Sequence, residues 1–147
     1  MKDENLIKFV ELETYIHNTE SIDKIVESIK KNILDNIKIP IIIEILWGTF
    51  GNRIIRLKIF SEDENISNLI FKNTICKAEN IENLYKTLDL RIDKAGNLYV
   101  RLNKQKLILN KIVIDDVSDD VIRVKFRVIR RAIKEGIENK IRDICQR

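Results

Sequence analysis

Apolar and polar residues alternate along four stretches of this chain, and such alternation is typical of half-buried β-strands. The stretches are Phe9 to His17, Arg53 to Phe60, Leu98 to Leu102 and Val121 to Ile129. Every second side chain of each strand is expected to face the core, and those between them to face the other way. A fifth segment, Ile41 to Trp47, is apolar on both faces except at Glu44. That pattern predicts a central or covered strand, whereas Pro40 just before it indicates a strand that starts late or lies at an edge.

The stretch from Leu88 to Gln105 predicts a hairpin. Leu90 and Ile92 alternate with polar residues, residues 94–97 interrupt the pattern with a glycine, and alternation then resumes. Glycine tolerates the left-handed backbone that tight turns need. The second strand ends in the polar segment Asn103-Lys104-Gln105-Lys106. We expect its two cations and two amides to form a donor-rich surface suited to phosphates and base edges.

Helical periodicity appears between the strands. Apolar residues at spacings of three and four predict amphipathic helices. These helices are expected from Ile22 to near Asn36, from Ser61 to about Phe71, over residues 81–88, and from Arg130 to about Ile144. Hairpins with helices interspersed predict an α+β two-layer sandwich, with a largely antiparallel sheet and helices on one face. No linker or repeat interrupts the chain, so residues 1–147 are expected to form one domain.

The composition fits a folded protein. The chain has 147 residues, of which 44% are hydrophobic, enough to bury a core. No apolar run approaches the roughly 20 residues that span a bilayer. The first residues are polar and do not resemble a signal peptide, so we expect a cytoplasmic location. Cys76 and Cys145 show no metal or redox spacing, and each is expected to be a buried or inert thiol.

The net charge of +4 is unevenly distributed. Nine Lys or Arg but only three Asp or Glu lie between Val121 and Arg147. Alternation places Arg123, Lys125 and Arg127 on one strand face, roughly 6.6 to 6.8 Å apart. That spacing suits the phosphates of an extended nucleic-acid strand. A solvated strand face, or an edge protected by charge, has the same pattern.

Three short blocks lie at turns and strand ends. They are His17-Asn18-Thr19-Glu20, Gly48 with Phe50-Gly51-Asn52, and the set Leu88-Asp89, Arg91-Ile92-Asp93, Gly96-Asn97-Leu98, Arg101-Leu102 and Lys104-Gln105. In this order and at about these spacings, they resemble a family of archaeal RNA-binding proteins once described as predicted exosome subunits. The resemblance covers about Val10 to Ile144. It implies a fold like that of ribosomal protein L5, and RNA as the ligand.

The chain departs from that family pattern at three places. Arg53 stands where the family tends to have Pro, and Asn103 where it tends to have Asp. Lys106-Leu107-Ile108 replaces a stretch that contains Ala and an aromatic residue. These departures weaken the transfer of individual ligand contacts.

We therefore expect a non-catalytic RNA-binding protein with a link to RNA processing. The predicted RNA contacts are Arg53, Arg101, Lys104, Gln105, Lys106, Arg123, Lys125 and Arg127. Tyr15, Phe50 and Tyr99 are candidates for stacking on bases, although aromatic residues more often pack in the core. The alternative is a protein-interaction or self-associating module, such as a homodimer, that uses the same sheet face.

An enzyme is the third class considered. A nuclease would need clustered carboxylates that bind a metal ion, but the acidic loop Asp115 to Asp120 lacks the alternation and glycine of a calcium loop. His17, the only histidine, has no nearby nucleophile pattern and is expected to bond to backbone. No phosphate-binding loop, dinucleotide motif or zinc spacing occurs. We therefore expect neither a cofactor nor a metal.

Overall fold

The computed structural model describes residues 5–146, which fold around one antiparallel sheet of five strands. The strands are β1 (Ile7–His17), β2 (Ile42–Trp47), β3 (Arg53–Ser61), β4 (Asn97–Asn103) and β5 (Val121–Val128). They lie in the order β2-β3-β1-β5-β4 across the sheet. The predicted α+β class and antiparallel sheet are confirmed, and all four alternating stretches form strands.

The helices are mostly short. They are α1 (Ile22–Ile29), continued by a π-helix (Lys30–Leu34), then α2 (Glu64–Thr74), α3 (Ile81–Lys86), α4 (Leu88–Arg91), α5 (Lys104–Ile108), α6 (Arg130–Glu135) and α7 (Ile137–Cys145). Ser21 begins α1 by accepting a hydrogen bond from the N–H of Lys24, and Asp63 begins α2 by accepting one from Ile66. Such caps satisfy N–H groups that the first helical turn leaves without partners. No described helix combines the length and apolar character needed to cross a bilayer.

The core lies between the sheet and the helices. Val10, Leu12 and Ile16 of β1 are at most 2% exposed, as the alternation predicted. Phe126 of β5 packs edge-on against Phe71 of α2, with 5.2 Å between ring centroids. The period-two pattern of the strands therefore separates a buried face from an open face.

The prediction of a strand before the turn of the hairpin is wrong. Residues Leu88–Arg91 form helix α4, and only an isolated bridge joins Ile92 to Leu98. A helical turn places Leu88 and Arg91 on the same side, and both are buried. The Arg91 guanidinium donates to the two carboxylate oxygens of Asp116 at 3.0 and 2.6 Å. This distant partner makes burial of the arginine favourable, and local alternation gives no sign of it.

The prediction of a central or covered position for Ile41 to Trp47 is also wrong. β2 forms an edge of the sheet, and every residue in it is exposed. The helices cover the central strands but leave β2 open. A strand that is apolar on both faces fits either position, because the pattern does not reveal where the helical layer ends.

The C-terminal helix is interrupted rather than continuous. Gly136 has a φ of 109°, a left-handed value that breaks the predicted helix into α6 and α7. Ile141 is fully buried, whereas Ile133 and Ile137 are partly buried against the core. The apolar stripe therefore packs as expected in spite of the break.

The two cysteines are not free thiols, contrary to the prediction. Cys76 and Cys145 form a disulfide, with their Cα atoms 5.0 Å apart. The bond joins the segment after α2 to the last residue of α7, across 69 residues of sequence. Spacing along the chain could not reveal this pairing, because the fold alone brings the two ends together.

Candidate nucleic-acid interface

The candidate site lies on the sheet face that the helices leave open. Side chains at alternate positions of β1, β3, β4 and β5 point to this face. They are at least partly exposed except Asn97 and Val121, at the ends of β4 and β5. A shallow cleft crosses β5 here. Its charged walls are formed by Arg101, Arg123, Lys125, Glu11 and Glu13. The face therefore carries both signs of charge.

Strand β5 supplies the predicted row of cations. Arg123 and Arg127 are exposed and Lys125 is half-buried. The Lys125 ammonium lies 5.9 Å from the centroid of the Phe9 ring. The Nε of Arg127 donates to the Asn97 side chain at 3.2 Å. Within residues 5–146, none of the three cations forms an ion pair, so their charges are available to a ligand.

The neighbouring carboxylates pair with a different strand. Glu13 of β1 lies opposite Arg123 in the strand register, but its carboxylate is 2.8 Å from the guanidinium of Arg56 on β3. Glu11 lies opposite Lys125, and its carboxylate is 3.7 Å from the Lys58 ammonium. The acidic side chains therefore neutralise the cations of β3 and leave those of β5 unpaired.

Two arginines face each other at the centre of this surface. Arg101 of β4 lies directly opposite Arg123 of β5, and like charges at such positions repel. The Arg101 guanidinium donates to the carbonyl of Ser118 and lies 4.0 Å from the Asp119 carboxylate. Arg123 has no comparable partner among the described residues. A bound anion would relieve this repulsion, and phosphate, like a carboxylate, is an anion that arginine binds with two hydrogen bonds.

The segment after β4 is not the exposed surface that was predicted. Lys104–Ile108 forms helix α5, which Asn103 begins by accepting a hydrogen bond from Lys106. Lys104 is only 1% exposed, so its predicted exposure is wrong. Its ammonium donates to the carbonyl of Tyr15 at 2.6 Å and lies 3.1 Å from Glu20 and 2.7 Å from Asp120. All three of its donors are used inside the protein.

The other predicted contacts are dispersed. Gln105 is exposed and donates to the Asp120 carboxylate at 3.0 Å, and Lys106 is exposed on the same helix. Arg53 is exposed at the start of β3. The strand registers place it roughly 20 Å from Arg123, two strands across and five residues along the sheet. Arg53 is therefore not part of the cluster on β4 and β5.

The aromatic candidates differ in exposure. Phe50 is 96% exposed and Tyr99 is 46% exposed, whereas Tyr15 is half-buried. Tyr99 lies opposite Lys125 on the open face, and its hydroxyl donates to Asp93 at 2.9 Å. Sequence analysis missed Trp47, which is 71% exposed. Its position immediately before the Gly48 turn was the available signal.

Asp93 holds the turn that leads into β4. Its carboxylate accepts hydrogen bonds from the N–H groups of Asn97 and Ala95, from the Asn97 side chain and from Tyr99. These bonds, chiefly the backbone N–H of Asn97, lower the pKa of Asp93 to about 2. The bond to Asp93 also raises the pKa of Tyr99.

The low pKa of Asp93 predicts an acid-sensitive turn. A carboxylate whose pKa is lower in the folded state than in the unfolded state stabilises the fold at pH values above its ordinary pKa of 3.8. That contribution is lost as the pH falls through about 2. NMR titration should give a midpoint near 2 for Asp93. Asp93→Asn should flatten the loss of stability over this pH window, whereas Asp89→Asn, which removes an exposed carboxylate of α4, should not.

The acidic loop has structural roles. Asp115 accepts hydrogen bonds from the N–H groups of Ser118 and Val117, and these bonds, with one from the Asn103 side chain, lower its pKa. Asp116 pairs with Arg91, and Asp120 with Lys104. Within residues 5–146, no group of three or more His, Cys, Asp or Glu side chains is arranged to hold a metal ion.

Similar proteins are found among archaea. A protein-family model described as RNA binding matches residues 9–128. An uncharacterized protein from Methanocaldococcus jannaschii is 31% identical over 146 residues, 95% of each chain. A protein from Pyrococcus abyssi, named as RNA-binding, is 25% identical over 148 residues, which cover 89% of this chain and 94% of that protein.

Solved structures share the fold. A crystal structure of a protein from Sulfolobus solfataricus has a TM-score of 0.74 at 28% identity, covering 92% of this chain and 98% of the other. One from Archaeoglobus fulgidus has a TM-score of 0.73 at 26% identity, covering 95% and 99%. The similarity therefore extends over nearly the whole chain.

Proposed function

The chain belongs to this RNA-binding family, and we propose that it binds the RNA backbone through the open face of β5 and β4. The observation that carries the proposal is the opposed pair of Arg101 and Arg123, with Lys125 and Arg127 continuing the row. Arg123 and Arg127 are exposed, and the carboxylates of β1 opposite this row pair with β3. Arg101 lies 4.0 Å from the carboxylate of Asp119. Contacts of this kind position RNA without reading its sequence.

Other side chains extend this surface. Tyr99 presents an exposed ring beside Lys125, where an unpaired base could stack. Lys106 and Gln105 on α5, and Arg53 at the far side of the sheet, are outlying contacts for a longer RNA. Lys104 is left out, because its buried ammonium is fully used within the protein.

The proposed role is binding rather than catalysis. Among residues 5–146, the open face supplies cations, carboxylates that pair with β3 and an aromatic ring, but no nucleophile grouped with a base. Incubation of the pure protein with labelled RNA and a divalent cation should therefore leave the RNA intact. We place this activity in the cytoplasm, in association with an RNA-processing complex of the exosome type. A relation of the fold to ribosomal protein L5 belongs to the same proposal, and superposition on that protein tests it.

Removing the β5 cations should weaken RNA binding. The variant Arg123→Gln, Lys125→Gln, Arg127→Gln keeps long polar side chains on an exposed face, so its stability should change by less than about 0.5 kcal/mol per substitution. Its affinity for a short labelled RNA should fall at least about tenfold. Because the variant no longer neutralises three phosphates, the slope of log K against log salt should become shallower by about 2 for single-stranded RNA.

A matched control distinguishes the effect of losing the β5 cations from the effect of a lower net charge. Lys24, Lys31 and Lys72 are exposed on the helical side of the molecule, and replacing all three with Gln removes the same charge. This control should retain wild-type affinity. Equal affinity of the wild type and the β5 variant would contradict the proposed surface. A β5 variant with an altered oligomeric state would instead favour a protein-interaction role for this face.

A further inference from the structure

Large apolar side chains are exposed together on β2 and the turn that follows it. They are Ile42, Ile43, Ile45, Leu46, Trp47 and Phe50, with exposures from 38 to 96%. Together they present on the order of 600 Å² of apolar surface. Ile42 and Leu46 lie on the open face, opposite Lys58 and Ile54, whereas Ile43, Ile45 and Trp47 lie on the other face. An exposed edge strand that is apolar on both faces marks a contact surface.

The outer edge of β2 also has unpaired backbone groups. The N–H of Gly48 donates to the carbonyl of Asn52, in the register that continues from Trp47 opposite Arg53. Hydrogen-bonded positions alternate along an antiparallel pair, so the even-numbered residues of β2 bond to β3. The N–H and C=O groups of Ile43, Ile45 and Trp47 therefore point away from the sheet.

The opposite edge of the sheet is covered by the chain itself. The N–H of Asn103 donates to the carbonyl of Val113, and that of Asp115 donates to the carbonyl of Arg101. Exposed edges are usually protected by lysine, proline or a bulge, and the strand β2 has none of these. Its single charge, Glu44, lies on the open face, 3.9 Å from Arg56. The β4 edge of the sheet is thus covered, whereas the backbone groups of the β2 edge can pair with another strand.

We propose that β2 pairs with β2 of a second copy of this chain, antiparallel and about a two-fold axis at Ile45. Ile45 then lies opposite its own copy, and Ile43 lies opposite Trp47. Every outward N–H and C=O group of these three residues gains a partner. A register centred on Glu44 is excluded, because it would oppose two carboxylates. The product is one continuous sheet, with five strands from each copy.

The same symmetry buries the apolar side chains. Ile43 and Ile45 lie opposite Leu57 and Ile55, which are buried, so they point to the helix-covered face. A two-fold axis perpendicular to the sheet places both helical layers on the same side. Ile43, Ile45 and Trp47 of both copies then fill the space between those layers, and the two cores become continuous.

The proposed register also determines which part of the second copy Phe50 would contact. It places the turn after β2 alongside residues 39–41 of the second copy. A cleft at that place is lined by Leu34, Ile37, Ile39 and Pro40 together with the polar residues Lys30, Asn36 and Lys38. Phe50 can pack against its apolar part. A stable interface buries about 800 Å² from each partner. The patch, the paired backbone and this cleft together approach that area.

The test is the mass of the protein in solution. Sedimentation equilibrium should give twice the chain mass of 17.3 kDa for the wild type. Ile45→Lys places two ammonium groups together on the axis, and the dissociation constant should rise by on the order of 100-fold or more. Leu90→Lys, at an 87% exposed position on α4, is the matched control and should stay dimeric. The β5 glutamine variant should also stay dimeric, which separates this proposal from RNA binding.

Hydrogen exchange identifies the edge itself. The amides of Ile43, Ile45 and Trp47 should exchange slowly in the wild type and rapidly in Ile45→Lys. The amides of Glu44 and Leu46, which bond to β3, should be slow in both. A monomeric wild type would overturn the proposal, and so would a dimer in which the three outward amides exchange rapidly.

Discussion

Replacing Lys104 with methionine should lower the free energy of unfolding by about 3 to 5 kcal/mol, because removing one member of a buried ion group leaves its partners unsatisfied. The Lys104 ammonium bonds to the carbonyl of Tyr15 and lies against the carboxylates of Glu20 and Asp120. Methionine fills the space of the lysine stem but donates nothing. The measurement is urea unfolding of both proteins at neutral pH.

A neighbouring lysine provides the control for this prediction. Lys106→Met changes the same residue type two positions further along α5, but there the side chain is exposed. Its effect should stay within about 0.5 kcal/mol. If the two variants have equal stability, the ammonium of Lys104 is hydrated rather than held by the three acceptors.

Opening the disulfide should cost about 4 kcal/mol of stability. The Cys76–Cys145 bond closes a loop of 69 residues, and a crosslink of this span restricts the unfolded chain. The variant Cys76→Ser, Cys145→Ser and the reduced wild type should therefore unfold at similar, lower urea concentrations than the oxidised protein.

The double serine variant also provides the control. A reducing agent should shift the unfolding midpoint of the wild type and leave that of the variant unchanged. If the oxidised and reduced wild type are equally stable, the bond does not constrain the unfolded chain as the loop length predicts.

The central strands could be predicted from sequence because one face of each is buried and the other is exposed to solvent. In β1 and β5 one face meets the helical layer and the other meets solvent, so apolar and polar residues alternate. The cationic row of β5 follows from the same alternation. This is why its place on the open face was predictable without coordinates.

The remaining features depend on contacts between distant residues. Lys104 is buried because Glu20, 84 residues earlier, lies beside it. Arg91 is buried because Asp116, 25 residues later, accepts both of its hydrogen bonds. Local patterns report the polarity of a side chain but not the partner that compensates its charge, so the burial of neither residue was predicted.

The blocks that resemble the archaeal family have structural roles in this fold. Glu20 in the first block contacts Lys104 in the last, and Asp93 holds the turn before β4. Gly96 has a φ of 89°, and a Cβ there would lie 3.1 Å from the Ile133 side chain. The proposed RNA contacts on β5 lie outside these blocks. The resemblance thus rests largely on residues that stabilise the fold, with Arg101 and Gln105 as the proposed RNA contacts among them.

The separation of the two sheet faces has an evolutionary consequence. Because the open-face side chains of β5 point away from the face that buries Phe126 and Val124, substitutions there are nearly neutral for folding. Such positions can accumulate change while the scaffold persists. If the proposed surface is correct, the open face is therefore where proteins with this same core can change the charge and shape that they present to a ligand.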